Sequence, residues 1–372
     1  MIHIFFLGYI VSVFYNSDFD KLGILIFGTL GLVYHVKYNF QKRLPLYILL
    51  LFNIYLIITL LLFQDYEPLR FSILFILEYG LLYYIYFSIV KDGKQLLYKW
   101  IQLLIFYQII FIFIGLVDFI LYQNGVVSEI RDYTASWKVD SLYHNPNPFG
   151  IVSSLSFILL FYIDDLFKKY KKVLMGILFL GVLLSGSSMA FLILLIGIVF
   201  KYLSLSDIYK LIATITLLLG AYFFLSDGEF INLISNRRVE IWLNAFEYMK
   251  ENPLFGIGTG NFQLLDDKLI NEFGQKHTYG THSMYVWLLV ECGVIGFVIY
   301  ISFLISLFLQ EGNTQQNTIL LTYFKKILLT LLLSQTTEFF IDHVEFFQLL
   351  YGLIIGSLLA LSNSSNIKKG RI

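Results

Sequence analysis

The chain is dominated by about twelve apolar runs, each close to the length that carries an α-helix across a lipid bilayer. A spanning helix needs roughly 20 mostly apolar residues, somewhat fewer where flanking polar side chains snorkel. Such runs lie near residues 2–15, 22–36, 44–63, 70–90, 101–122, 148–163, 173–186, 188–203, 208–225, 283–309, 319–340 and 344–361. The first two are short. The pair on either side of Ser185-Gly186-Ser187-Ser188 reads as two spans or as one re-entrant hairpin. A backbone in hydrocarbon must satisfy its own hydrogen bonds, so this pattern implies an all-α, polytopic membrane protein. Composition agrees: of 372 residues, 58% are hydrophobic, 18% aromatic and only 14% charged, with a mean hydropathy of +0.74, which is unlike a soluble domain. Net charge is zero, so no basic surface points to nucleic acid. The one cysteine, Cys292, lies in an apolar run and excludes an internal disulfide framework. The N-terminus has neither a basic leader nor a small-residue cleavage site, so the first apolar run is expected to stay as a membrane segment.

Orientation follows from the lysines and arginines. Lys37, Lys42 and Arg43 share one loop, and Lys91, Lys94 and Lys99 another. Lys168, Lys169, Lys171 and Lys172 form a third cluster, and Lys201 and Lys210 flank a fourth turn. Lys325, Lys326, Lys368, Lys369 and Arg371 complete the set. With both termini cytoplasmic, all of these fall inside, and the intervening short loops carry only Lys21 and Arg70. Residues 1–372 then read as a single integral membrane domain with two long outer loops, 123–147 and 226–282. Loops of that length are uncommon without a function.

The larger loop carries the most polar chemistry. Within it, 238–250 reads as a short amphipathic helix with Arg238, Trp242, Ala245 and Met249 on one face, stopped by Pro253. Arg237 and Arg238 stand in its first turn, where the helix dipole favours an anion. An anion held between the arginines and the free N–H groups would turn that conflict into a site; the alternative is an arginine pair meeting lipid headgroups. The run Gly256-Ile257-Gly258-Thr259-Gly260-Asn261-Phe262 lacks the lysine and hydroxyl of a phosphate-binding P-loop and reads as a tight turn after a helix. His282, just before the run 283–309, can take or give a proton near neutral pH, though a lone interfacial histidine more often only caps or meets headgroups. Glu291, nine residues on, lies roughly 13 Å deeper and on another face, so its expected role is packing, such as holding another helix.

The smaller outer loop holds Arg131, Tyr133, Trp137 and the run Tyr143–Gly150. Asn145 and Asn147 offer the paired donors and acceptors that a sugar needs. Trp137 can stack on a pyranose or anchor at the interface. Four of the six histidines (His144, His277, His282, His343) fall outside, but no metal-ligand spacing links them, and no metal or cofactor is expected.

The ordered set Arg238-x-x-x-Trp242, Pro253-x-x-Gly256-x-Gly258-x-Gly260-x-Phe262, His282-x-x-Tyr285 and Glu291-x-Gly293-x-x-Gly296 resembles the O-antigen ligase/polymerase superfamily. Asn145-Pro146-Asn147 and Ser185–Ala190 resemble further features of it. Many relatives carry arginine where Ser188 stands, so a second phosphate-binding arginine would have to be Arg237 or Arg131. The resemblance implies a metal-independent glycosyltransferase of the bacterial cytoplasmic (inner) membrane with an extracytoplasmic active site. The donor would be an undecaprenyl-diphosphate-linked oligosaccharide and the acceptor a glycan hydroxyl. A flippase and a chain-length regulator are the partners it implies.

Arg238, with Arg237 and Arg131, would hold the diphosphate, and His282 would serve as base or further phosphate contact. Asn145, Asn147, Trp137 and Tyr285 would meet the glycan. Trp242, Gly256, Gly258, Gly260, Glu291 and Gly293 would be structural. Polymerisation of O-antigen, capsule or exopolysaccharide repeat units is preferred over ligation to lipid A-core, because no extra basic patch for that acceptor is visible. A flippase for lipid-linked glycan is the reading from a different class. Asp18-Phe19-Asp20, an acidic tripeptide like those of metal-using polyprenyl-phosphate glycosyltransferases, is a minor alternative.

Overall fold

A computed structural model of the protein describes residues 25–33, 44–63, 66–124, 138–139, 141, 146–225, 238–262, 281, 283–312, 314–336 and 345–362. Among these residues all regular structure is helical, in thirteen helices. They are α1 (25–33), α2 (Leu44–Phe63), α3 (Tyr66–Asp92), α4 (Lys94–Gln123), α5 (Pro146–Tyr162), α6 (Lys171–Ser185), α7 (Ser188–Tyr202), α8 (Leu205–Leu225), α9 (Arg238–Met249), α10 (Met284–Glu291), α11 (Gly293–Phe308), α12 (Gln315–Ser334) and α13 (Glu345–Leu361).

The bundle has two centres of packing. Around α5 lie α6 and α7, which run along it and touch each other little, with α4 behind α6. Around α3 lie α13 and α2; α11 packs on α2, and α12 bridges α13 to α7. One continuous apolar core joins the two centres. Polar side chains inside it bond across helices, as a nonaqueous surround requires. Gln108 Nε2 donates to Ser153 Oγ at 2.7 Å, Ser154 Oγ donates to the Ala190 carbonyl at 2.7 Å, and Tyr162 OH donates to the Gly197 carbonyl at 2.9 Å.

The outward surfaces are apolar as well. Phe179, Leu180 and Leu183 on α6, Phe191, Leu192 and Leu195 on α7, and Leu217 on α8 are all exposed. An apolar belt of this extent suits lipid, not water. Two helices, at Lys94–Leu121 and Gln315–Ser334, are long and apolar enough by themselves to cross a membrane. The apolar helices Pro146–Tyr162, Ser188–Tyr202 and Gly293–Phe308 are shorter; at 1.5 Å per residue such helices cover about 22–26 Å of a hydrocarbon core about 30 Å thick. The expected twelve spans therefore exceed what length and hydropathy give helix by helix. The run 2–15 lies outside the described residues.

The two ends of the bundle differ in chemistry. At one end Lys171 Nζ and Lys201 Nζ both reach the Phe161 carbonyl, at 3.5 and 2.7 Å. Lys326 Nζ reaches the Lys201 carbonyl at 3.2 Å, and Lys325 Nζ the Gln310 carbonyl at 2.6 Å. Lys94 Nζ meets Gln316 Oε1 at 3.3 Å. These are lysines from the loops that the charge pattern assigns to the cytoplasm. From Gln316, α12 runs the length of the bundle to Gln335, whose carbonyl accepts the Met284 N–H at 3.0 Å at the opposite end. The polar platform described next is built there.

Candidate functional site

The platform forms where one expected helix is two. The run 283–309 reads as a single apolar segment, but it breaks at Cys292 into α10 and α11. Ser283 caps α10, its Oγ accepting from the Val286 N–H. A broken helix leaves carbonyls without partners at the end of one piece and N–H groups at the start of the next. Here a single segment from the preceding loop supplies both. The N–H groups of Ile257 and Gly258 donate to the Val290 and Glu291 carbonyls, each at 3.0 Å. The Pro253 and Leu254 carbonyls accept from Val294 and Ile295 at 3.0 and 3.2 Å. Residues 253–258 thus close the ladder across the break.

That closure requires two backbones to meet without side chains between them. Gly256 has φ 74° and Gly293 φ 65°. A β-carbon on Gly256 would lie 2.5 Å from the Glu291 carbonyl oxygen, and one on Gly293 would lie 2.4 Å from that of Leu254. Gly258 and Gly260 continue the turn at φ 90° and 83°, a region where only glycine sits at little cost.

Glu291 takes the remaining donors of the turn. Its carboxylate, 2% exposed, accepts the Gly260 N–H at Oε2 and the Phe262 N–H at Oε1, the latter at 3.3 Å. The carboxylate of Glu291, expected to serve packing, is bonded to the glycine turn and to Phe262 in the helical residues that follow it, because α10 ends directly after Glu291 and the turn lies over that end. Tyr55 of α2, which the sequence does not single out, donates from its hydroxyl to the Cys292 carbonyl and ties the break to the bundle. Two buried side-chain atoms of the turn, Thr259 Oγ1 and Asn261 Oδ1, have no hydrogen-bond partner.

Helix α9 lies on this platform. Trp242, Ala245 and Met249, from the face that carries Arg238, pack with Phe262, Val286 and Val290 in a second, smaller core, where Ala245 is fully buried. One turn after Arg238, Trp242 Nε1 donates to the Thr281 carbonyl at 2.8 Å. Thr281 is buried, and its hydroxyl donates to the Ser283 carbonyl at 3.0 Å. The half-buried Arg238 is thereby on a helix bonded to the residue that precedes His282.

Of the other candidates, Asn147 is the half-buried second residue of α5. Tyr285 donates its hydroxyl to the Leu332 carbonyl at 3.1 Å, so a glycan contact by that hydroxyl would compete with α12. Ser188 is the exposed first residue of α7. Arg237, His282, Arg131, Trp137, Asn145 and the pair Asp18 and Asp20 lie outside the described residues. Among the described residues no group of three His, Cys, Asp or Glu side chains is placed to hold a metal.

A second polar feature, also unmarked by the sequence reading, lies between α2, α3, α11 and α13. Asn53, Glu78, Tyr79, Tyr300 and Tyr351 line a small cavity there with apolar neighbours such as Phe303.

These observations define the class first: an all-helical integral membrane protein with a stitched helix break and an arginine-bearing helix at one end. Residues 150–301, which run from the start of α5 through most of α11, match the family model described as O-antigen ligase. That match covers the whole platform and supports the O-antigen ligase/polymerase superfamily that the motif order implies. No curated protein matches the chain.

Proposed function

We propose that the protein is a glycosyltransferase on the outer face of the bacterial cytoplasmic membrane. It would span the bilayer about twelve times with both termini cytoplasmic. In this reading it takes a glycan from an undecaprenyl-diphosphate-linked oligosaccharide and polymerises repeat units of an O-antigen, capsule or exopolysaccharide. An acceptor hydroxyl attacks the anomeric carbon, the bond from that carbon to the phosphate oxygen breaks, and the diphosphate leaves with the electron pair. Arg238, assisted by Arg237 or Arg131, meets the growing negative charge where water is scarce and charge interactions are strong. His282 takes the hydroxyl proton or adds a phosphate contact. Asn145, Asn147, Trp137 and Tyr285 meet the sugars. Trp242, the glycines 256, 258, 260 and 293, and Glu291 hold the platform in shape. No metal or nucleotide is needed, since the sugar–phosphate bond supplies the driving force.

The observation that carries this reading, beside the family match, is the bond from Trp242 to Thr281. It ties the helix that Arg238 opens to the residue before His282, so a cation and an imidazole can serve one substrate. The unpartnered Thr259 Oγ1 and Asn261 Oδ1 add polar capacity to the glycine turn. Purified protein given undecaprenyl-diphosphate repeat units without metal should yield a ladder of products. Single transfer to an added acceptor would instead mean ligation, which the same site could perform. Arg238→Ala and His282→Ala should each abolish product while the protein still inserts, and chain growth in both variants would remove these residues from the site.

One observation favours the second reading, a carrier of lipid-linked glycan: Glu78 sits halfway along α3, where ionisable groups of carriers gather. The cavity beside it has room for a few water molecules, far short of a sugar ring. In a deletion strain, flipped but unpolymerised units on the outer leaflet would uphold the transferase, and units retained on the inner leaflet the carrier.

A further inference from the structure

The lysine-rich end of the bundle carries a feature that glycosyl transfer does not use. Helices α6 and α7 run along α5 but touch each other little, so the end of α5 stands between them. Phe157 and Phe161, one turn apart there, are half-buried in a helix that is otherwise buried except for Asn147 at its other end. Their rings lie 6.1 Å apart and form an apolar strip that the neighbouring helices leave partly uncovered. The flanks near this end are apolar too: Val173 on α6 and Val199 and Tyr202 on α7 are exposed.

Two ammonium groups close the strip. Lys171 opens α6 and Lys201 is the next-to-last residue of α7. Both Nζ atoms reach the Phe161 carbonyl, at 3.5 and 2.7 Å, and Lys201 Nζ lies 3.9 Å from the centre of the Phe161 ring. Two like charges on one oxygen repel unless negative charge joins them. Asp164 Oδ1 meets Lys171 Nζ at 2.6 Å and offsets one of the two. Among the described residues no carboxylate lies within ion-pair reach of Lys201, on which Asp164 acts only at longer range. Lys326 Nζ brings a third positive charge to the same place, on the Lys201 carbonyl at 3.2 Å. A carbonyl and a ring face ease the desolvation of an ammonium but leave its charge in place.

The surplus calls for an anion, and the setting narrows its kind. A free anion has no use for the apolar strip below the lysines. A molecule with phosphate at one end and hydrocarbon at the other fits both parts, and basic pockets between membrane helices take lipid headgroups in this way. We propose that Lys171 and Lys201 bind the phosphate of an anionic phospholipid whose acyl chain lies over Phe157 and Phe161, between α6 and α7. The lipid then joins two helices that barely touch. Its leaflet is the one that the charge pattern assigns to the cytoplasm, and the site stands apart from the glycosyl-transfer reading.

The test takes the full chain in detergent free of phospholipid and titrates in phosphatidylglycerol or phosphatidylcholine. Native mass spectrometry follows retained lipid, and the unfolding midpoint is recorded alongside. The expected result is preferential retention of phosphatidylglycerol with a saturable rise in the midpoint. Lys201→Gln should weaken half-saturation by roughly tenfold or more. Asp164→Asn, which frees Lys171, should tighten retention, and it keeps the test open should Lys201→Gln not fold. Lys210→Gln on α8, whose lysine is paired with Asp207 at 3.7 Å, should leave retention unchanged. Equal retention of the two lipids overturns the proposal, as does a response that Lys201→Gln and Asp164→Asn leave unaltered. An equal loss in Lys210→Gln overturns it in favour of diffuse surface charge. A midpoint shift that inorganic phosphate reproduces at matched ionic strength overturns it in favour of a free-anion site.

Discussion

Two carboxylates are set into apolar helices of this bundle, Glu291 at the end of α10 and Glu78 halfway along α3. Around Glu291 the chain supplies its own donors: backbone N–H groups of Gly260 and Phe262 point at the carboxylate oxygens. Around Glu78 the chain leaves a cavity and an amide oxygen without a partner. The first arrangement is a fastening, closed by the protein alone. The second borders a small cavity that it shares with an amide and phenols from three other helices. The difference shows that the surroundings of an ionisable group in a membrane helix, and not its presence alone, decide what it does there.

If the fastening reading is right, the largest loss comes from driving the two backbones apart. Gly293→Val puts a branched side chain where a β-carbon already meets the Leu254 carbonyl at 2.4 Å, at a φ of 65°. The expected cost exceeds about 4 kcal/mol, seen as loss of monodisperse protein on gel filtration. Normal yield would mean that residues 253–258 are not bound to the break.

Next in size is Glu291→Gln. The substituted amide keeps one acceptor but turns an N–H₂ toward a backbone N–H, leaving a buried donor unsatisfied at about 2 kcal/mol. The denaturation midpoint of this variant in detergent checks the cost; an unchanged midpoint would mean that the carboxylate does not hold the turn.

Trp242→Phe tests whether the platform serves the proposed chemistry. The ring still fills the small core with Ala245 and Phe262, but the bond to the Thr281 carbonyl is lost. About 1 kcal/mol of stability is expected to go. Turnover in the polymerisation assay should fall roughly tenfold as position 282 drifts from Arg238, a 1 Å displacement being enough to slow a reaction. Unchanged turnover would separate the tryptophan from the site.

Much of this was legible in the sequence, for physical reasons that also explain what was not. The run 44–63 coincides with α2, because an unbroken apolar stretch has one available conformation in lipid. The three glycines of the run 256–262 read as a tight turn, and all three take the left-handed backbone. The break at Cys292 was hidden, since an isolated glycine in an apolar helix is normally tolerated; the segment that stitches it comes from residues 253–258, beyond any local pattern. Helical rotation separated Glu291 from His282 but could not name Gly260 as its partner. Asn53 and Glu78 each stand in an apolar run, and no motif or spacing pairs them. That the two share one cavity is a tertiary fact.

The smallest effect lies at the rim of that cavity and refines the same contrast. Tyr300→Phe and Tyr351→Phe each remove one oxygen from the 2.9 Å pair. If the pair only rigidifies α11 against α13, each variant loses under about 1 kcal/mol, and the double variant costs no more than either alone, since one bond is lost in every case. If the hydroxyls also meet other partners, the two losses add and the double variant costs more than either alone. A double-mutant cycle of denaturation midpoints distinguishes the two, and it reports whether α11 and α13 are joined at this cavity by the one bond or by more.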